Sequence, residues 1–345
     1  MDRILIAMSG GVDSSVAAYA VCKEGHPCGG ILLHLWDNGN PSPVQDAEAV
    51  AQRLGMDFHT LDAREDFKSL VVEDFIRCYE AGLTPNPCVR CNQHLKFGFL
   101  LQKALEMGYD AVATGHYARI RRDEATGRYL LYKAIDEKKD QSYFLACLSQ
   151  EQLAHSRFPL GELTKEEVRQ IALEQGFLNA KKKDSQDICF IPDGDYMAFM
   201  EGYTGKKYPQ GDFLDLQGNR VGTHKGAVGY TLGQRKGLGL AMGTPVYVCG
   251  KDMVCNTVTV GPEEVLFTTT LRATNWNWLS FPVLDAPMRI LAKARSRHIP
   301  QPATVYPEED GIARVEFDTP QRAITPGQTV VLYDGDMVVG SGTIL

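Results

Sequence analysis

The chain opens with a short unbroken apolar run, Ile4-Leu5-Ile6-Ala7-Met8, and resumes with helix-compatible apolar spacing from Val16 to Val21 after a glycine pair. A run of this length suits a strand buried on both faces of a parallel sheet. The alternation then repeats. Positions 29–35 read as a second strand, 44–54 as a helix closed by Gly55, 58–61 as a third strand, and 66–79 as a long helix ending near Gly82. Positions 110–116 read as a further strand. Strands alternating with helices predict an α/β domain, a doubly wound parallel sheet whose ligand lies beyond the strand C-termini. From about Tyr208 the pattern changes to short β-prone runs and glycines. Near the end, 313–317 alternates, and Val330 to Tyr333 and Met337 to Val339 flank Asp334-Gly335, a hairpin signal. The expected organisation is an α/β catalytic domain over 1–205, a small β-rich central domain over 206–268 and a C-terminal antiparallel β-barrel over 269–345.

Composition narrows this modestly. A length of 345 residues suits two or three domains, and 44% hydrophobic with 23% charged residues is ordinary for a soluble globular chain. There is no apolar run long enough to span a membrane, and no basic segment, apolar segment and cleavage site precede the first strand. The expected location is cytoplasmic, with no membrane partner. Nine cysteines scattered over the chain do not form a disulfide framework, and Cys22, Cys28, Cys78, Cys147, Cys249 and Cys255 read as packing residues. A net charge of −7 argues weakly against a nucleic-acid partner. Net charge says little about one face, however, and basic residues gather at Lys181-Lys182-Lys183, Lys206-Lys207, Arg235-Lys236 and 293–298.

The candidate chemistry begins at Ser9-Gly10-Gly11-Val12-Asp13-Ser14-Ser15, between the first strand and first helix. Free amides and the positive end of a helix dipole favour an anion there, and glycines allow close approach. The loop lacks the lysine and spacing of a Walker loop and is not a Rossmann fingerprint. It resembles the loop of the N-type ATP pyrophosphatases, which use ATP to adenylate an oxygen and release pyrophosphate. In such a loop Ser9, Ser14 and Ser15 add hydroxyl donors and Asp13 helps hold magnesium.

A second centre is Thr84-Pro85-Asn86-Pro87-Cys88-Val89-Arg90-Cys91-Asn92. Two prolines make its entry extended and stiff. Asn92 can cap a helix over 93–107, which would place Cys91 just before a helix start and favour its thiolate. A Cys-x-x-Cys pair alone fits redox chemistry or half a metal site. Downstream, Thr164-Lys165-Glu166-Glu167 is a capping box, read as structural, opening a helix that Gly176 closes.

These two motifs, with Ala113-Thr114-Gly115-His116-Tyr117, Lys139-Asp140-Gln141-Ser142-Tyr143-Phe144-Leu145, Lys181-Lys182-Lys183-Asp184-Ser185, Ile188-Cys189-Phe190-Ile191, the segment from Tyr230 to Gly239 and Thr325-Pro326-Gly327-Gln328, resemble the tRNA-specific 2-thiouridylases, the MnmA/TrmU family. The resemblance runs in order along essentially the whole chain. It implies a HUP-like ATP pyrophosphatase domain, a tRNA-binding central domain and barrel, and a sulfurtransferase that adenylates the wobble uridine 2-oxygen and replaces it with sulfur, releasing AMP and pyrophosphate. It implies ATP contacts at Ala7, Met8, Ser9, Gly10, Gly11, Val12, Asp13, Ser14, Leu33 and Gly115. Asn86, Pro87 and Cys88 would meet the target base, and His116, Lys139, Asp140, Gln141, Arg295, Ser296 and Gln328 would contact tRNA. Cys91 matches the family's nucleophile and Cys189 its persulfide carrier, supplied by a sulfur donor such as a persulfide carrier, a cysteine desulfurase or inorganic sulfide.

Many family members have Asp where this chain has Cys88. Three readings stay open for Cys88, Cys91 and Cys189: a harmless replacement, competition for a disulfide with Cys91, or three thiolates holding three irons of a 4Fe-4S cluster. Two other functions compete with thiolation. An ATP pyrophosphatase acting on a small molecule, as in amidating or argininosuccinate-forming ligases, needs no tRNA module, and a non-catalytic tRNA-binding or sulfur-relay protein needs no ATP loop.

Overall fold

The structure is a computed structural model and describes residues 1–37, 42–180, 182 and 188–345. Lys181, Lys183, Asp184 and Ser185 of the lysine-rich motif lie outside the described residues.

The first apolar run forms β1 (Ile4–Ala7), followed by the first helix, Val12–Lys23. Then come β2 (Cys28–His34), the helix Ser42–Arg53, and β3 (Asp57–Asp62). The long helix expected over 66–79 is present as Arg64–Phe67, Lys68–Val72 and Glu73–Glu80, its middle widened to π geometry. After the second-centre helix comes β4 (Ala111–Thr114). Leu5 and Ile6 are fully buried, as strand residues covered on both faces must be.

A hairpin of β5 (Ala118–Arg122) and β6 (Tyr129–Lys133) follows, and then the short β7 (Ser156–Arg157). The parallel sheet has the order β3-β2-β1-β4-β7, so the chain reverses direction across the sheet between β1 and β4. That reversal opens a crevice at the strand C-termini, where the glycine turn lies.

The central region folds as β8 (Gly211–Leu214), β9 (Arg220–His224), β10 (Tyr247–Asp252) and β11 (Thr257–Gly261), in the order β10-β11-β8-β9. The C-terminal region contains β12 (Phe267–Trp278), β13 (Met288–Lys293), β14 (Gln301–Pro307), β15 (Ala313–Arg322), β16 (Thr329–Asp334) and β17 (Met337–Ile344). These six close into an antiparallel barrel because β12 pairs with both β15 and β17. The expected Asp334-Gly335 turn joins β16 to β17.

The pattern did not reveal that β6 of the N-terminal region pairs with β17, so the β5–β6 hairpin extends the barrel sheet. One apolar cluster accordingly mixes Leu131, Tyr143, Leu145 and Leu148 with Val331, Tyr333 and Val338.

Candidate active site

The turn after β1 is shaped from within. Ser14 Oγ accepts from the Ser9 backbone N–H at 3.1 Å and donates to the Gly11 carbonyl at 3.0 Å, as Ser15 Oγ also does at 3.0 Å. Gly10 has a φ of +70°, and a Cβ there would lie 2.3 Å from the Pro43 carbonyl oxygen. Only glycine satisfies both conditions. Gly11 is the N-cap of the first helix, and no side chain caps the helix. Its leading amides are thus left for an anion in the cleft that Asp13 and Ser14 line.

Ala7, Met8, Ser9, Asp13, Ser14, Leu33 and Gly115 line that cleft, with Leu35 and Thr114 beside them. Gly10, Gly11 and Val12 shape the turn instead. Gly115 is tightly constrained: a Cβ would sit 2.7 Å from both the Asp13 carbonyl carbon and the Ser14 amide nitrogen. Its glycine lets the end of β4 close against the start of the helix.

Asp13 is engaged more fully than the sequence suggests. Tyr117 Oη donates to its Oδ1 at 2.8 Å, and Lys165 Nζ donates to Oδ1 and Oδ2 at 2.7 and 2.9 Å. An ammonium bound to both carboxylate oxygens neutralises the charge that a dication would need and occupies its approach. Magnesium therefore does not fit as a ligand of Asp13 in this arrangement. Lys165 is 8% exposed and was missed in the sequence, although its motif was recognised. The capping box forms as expected: Glu167 accepts from the Thr164 N–H at 2.7 Å, and Thr164 Oγ1 from the Glu167 N–H at 3.3 Å. A lysine at the first position of a helix opposes the helix dipole, and that broken local rule was the available signal.

The same cleft is also lined by His116, Lys96 and Gln141. His116 Nδ1 is 2.5 Å from Thr114 Oγ1, and its Nε2 is 3.5 Å from Lys96 Nζ. Burial, reinforced by the Lys96 charge, pushes its pKa well below the usual imidazole value, so the ring is neutral at pH 7. Gln141 Oε1 accepts from the Tyr117 N–H at 2.9 Å. Asp140 is bonded inside its own loop, accepting from the Ala134 and Ser142 amides at 3.1 Å and from Ser142 Oγ at 2.8 Å. Lys139 is partly exposed beside it.

The second centre corrects one expectation. Its helix begins at Pro87, with Asn86 Oδ1 accepting from the Val89 N–H at 3.4 Å, so Asn86 is the cap and Asn92 lies within the helix. Proline suits the first helical position because its missing N–H would be unpaired there anyway. Cys91 is thus a full turn inside the helix and buried. Burial pushes its thiol up, and Lys96 partly opposes this, so the helix start does not activate it. Cys88 and Cys189 reach the surface. Although part of each side chain is open to solvent, the protein packed around the sulfurs desolvates them: this raises Cys88, and the same effect, then Cys91 and Cys88, raises Cys189 to about 11.

The fold brings Cys189 to Cys91 through their neighbours. Ile188, Phe190 and Ile191 pack in the same apolar cluster as Cys91, together with Leu35 at the rim of the nucleotide cleft. Beyond Cys91 the helix takes π geometry over Asn92–Phe99 and carries Lys96 to the cleft wall. Lys96 is also the cation that lowers Cys88, Cys91 and Cys189. It too went unrecognised in the sequence. Among the described residues no three His, Cys, Asp or Glu side chains gather as a metal-binding group, so the three thiols do not form a ready cradle for an iron–sulfur cluster.

Arg295 and Gln328 lie at seams. Arg295 donates to the Leu232 carbonyl at 3.0 Å and to Thr325 Oγ1, joining the central region to the barrel. Gln328 Nε2 donates to the Thr84 and Pro85 carbonyls at 2.8 and 3.2 Å. Ser296 is partly exposed next to Arg295.

A doubly wound sheet with an anion-ready turn, followed by two β modules, defines a three-part HUP-domain protein. Family models match each part: the tRNA methyl transferase HUP domain over residues 2–193, the tRNA methyl transferase PRC-barrel domain over 197–262 and the aminomethyltransferase beta-barrel domain over 268–344. The chain belongs to the tRNA-specific 2-thiouridylase MnmA family. It is 49% identical over 356 aligned positions to the tRNA-specific 2-thiouridylase MnmA of Heliobacterium modesticaldum, covering 100% of this chain and 92% of the relative. To the protein of the same name from Clostridioides difficile it is 45% identical, covering 99% and 98% of the two chains. No helix among the described residues is long and apolar enough to cross a membrane.

Proposed function

We propose that this enzyme thiolates the 2-position of the wobble uridine in tRNA at the expense of ATP. The observation that carries the reading is the position of Lys96, on the wall of the nucleotide cleft and within electrostatic reach of Cys88, Cys91 and Cys189. Activation and sulfur delivery thereby share one boundary. Relatives named as tRNA-specific 2-thiouridylases support the same substrate and product.

The 2-oxo group of uridine is a poor leaving group. ATP phosphates lie at the uncapped helix start, and the uridine oxygen attacks the α-phosphorus, expelling pyrophosphate and leaving an O-adenylate. Cys91, once it has lost its proton beside the Lys96 charge that partly offsets its burial, attacks the inner sulfur of a Cys189 persulfide. A Cys91–Cys189 disulfide forms and hydrosulfide leaves. Hydrosulfide adds to the activated carbon, AMP departs, and 2-thiouridine remains. An external dithiol reduces the disulfide, and the sulfur donor renews the persulfide. The stiff Asn86-Pro87 entry supports a base turned out of its stack. No step is routed through magnesium on Asp13 or through an iron–sulfur cluster, because Asp13 is already held by Lys165 and the three thiols form no metal-binding group among the described residues.

The test is incubation of the full chain with ATP, a persulfide source, a dithiol and unmodified tRNA. 2-Thiouridine appearing in step with AMP is expected. ATP cleavage that ignores tRNA and responds to a small acceptor instead would overturn the reading in favour of a small-molecule ligase.

A further inference from the structure

The loop that begins the second centre has two prolines, Pro85 and Pro87, and neither can donate a backbone hydrogen bond. The extended conformation they impose also leaves the Thr84 and Pro85 carbonyls outside any helix or sheet ladder, so these groups need donors from elsewhere. The barrel supplies them. Gln328 Nε2 donates to the Thr84 carbonyl at 2.8 Å and to the Pro85 carbonyl at 3.2 Å. The Thr84 N–H in turn donates to the Pro326 carbonyl at 2.9 Å.

The barrel turn is itself fixed. The Gly327 N–H donates to the Ile344 carbonyl at 2.8 Å, and the Ile344 N–H to the Gln328 carbonyl at 2.8 Å. Gly327 has a φ of +85°, and a Cβ there would stand 2.9 Å from Leu83 Cβ and 3.0 Å from the Thr84 nitrogen. Tyr143 Oη donates to the Thr329 carbonyl at 2.7 Å, holding the next residue of the barrel against the catalytic region. The turn and the loop are therefore locked together at backbone level, within two residues of Asn86 and four of Cys88.

We propose that Gln328 is a positioning residue: through its side-chain amide the C-terminal barrel sets where Asn86 and Cys88 stand. This rests on the reading of that loop as the platform for the target base. The side-chain nitrogen is engaged by the two loop carbonyls, so beside any contact with tRNA that the resemblance implies, its consequence is catalytic placement.

Gln328→Glu keeps the shape and turns the donor into an acceptor facing two carbonyls. Gln328→Met removes the hydrogen bonds without adding charge and guards against misfolding of the first variant. Two measurements are made on the full chain. Alkylation of Cys88, followed by peptide mass analysis without ATP or tRNA, reports the loop directly and does not depend on the proposed reaction. Thiolation kinetics separate kcat from KM for tRNA. The expected result is a changed Cys88 alkylation rate in both variants with a fall in kcat of about tenfold or more that exceeds any rise in KM for tRNA. Unchanged Cys88 alkylation, or a raised KM for tRNA with kcat intact, overturns the proposal. Absence of thiolation by the unmodified enzyme would count against the functional reading alone, because the Cys88 measurement stands without it.

Discussion

Asp13 shows how a single contact changes a residue's role. In sequence it stands in a phosphate-type loop and reads as a magnesium ligand, but both oxygens are held by Lys165, a residue 152 positions away. Lys165→Met should leave a partly buried carboxylate without its cation. The side chains are 10% and 32% exposed, so the stability cost, discounted for solvent, is about 2 kcal/mol. Pyrophosphate release should fall much further than tRNA affinity, and Lys165→Arg should restore part of it; equal losses in both assays would make the pair merely structural. The thiols give a second residue-level expectation. Cys91→Ala and Cys189→Ala should each abolish thiolation without added iron, whereas Cys88→Ala should retain most of it. Iron-dependent activity lost in all three variants would favour the cluster. Because Cys189 is pushed up to about 11, its alkylation rate should climb steadily from pH 7 toward pH 10, since only the thiolate reacts. Lys96→Met removes a charge that lowers this value and should shift the profile to still higher pH.

Among the elements, the helix Pro87–Cys91 is governed by its cap. Asn86→Ala removes the acceptor for the Val89 amide and should cost about 1 kcal/mol, read as a lower urea midpoint with unchanged slope. An unchanged midpoint would mean that Pro87 and the Gln328 bonds fix the helix start without the cap. The sequence pattern places the cap at Asn92 because that residue precedes a helical run, and it passes over Asn86, which stands before a proline at the first helical position. The α/β alternation was legible because β1, β2 and β4 are covered on both faces and carry nearly continuous apolar residues. The hairpin β5–β6 was not. Its segments, Ala118-Arg119-Ile120-Arg121-Arg122 and Tyr129-Leu130-Leu131-Tyr132-Lys133, have no apolar face that points to a parallel sheet, and Leu131 is buried against residues some 200 positions later. Local pattern does not carry a partner that distant. The π-widened turn that brings Lys96 to the cleft was equally silent, since its spacing reads as an ordinary helix.

For the whole molecule, three matched domains do not make three separable bodies. Arg128 donates to the Trp278 and Leu279 carbonyls at 2.8 Å, Asn277 Nδ2 to the Ala146 and Leu148 carbonyls at 2.8 Å, and Ser341 Oγ to the Ala146 carbonyl at 2.9 Å. Tyr143, Leu145 and Leu148, all buried, lie in the apolar cluster that β16 and β17 complete. Removing residues from Thr270 onward would therefore strip the pairing from β6, expose that cluster to water and release the Thr84–Pro85 carbonyls from Gln328. Large buried aromatic and aliphatic side chains are worth roughly 1.5–3 kcal/mol each when covered, so exposing several approaches the whole stability of a typical domain. The truncated chain should aggregate or melt without a sharp transition, and its ATP affinity should fall together with its tRNA affinity. A truncated chain that melts cooperatively, binds ATP as the full chain does and loses only tRNA would show instead that the barrel is an RNA-binding attachment with no part in building the catalytic face.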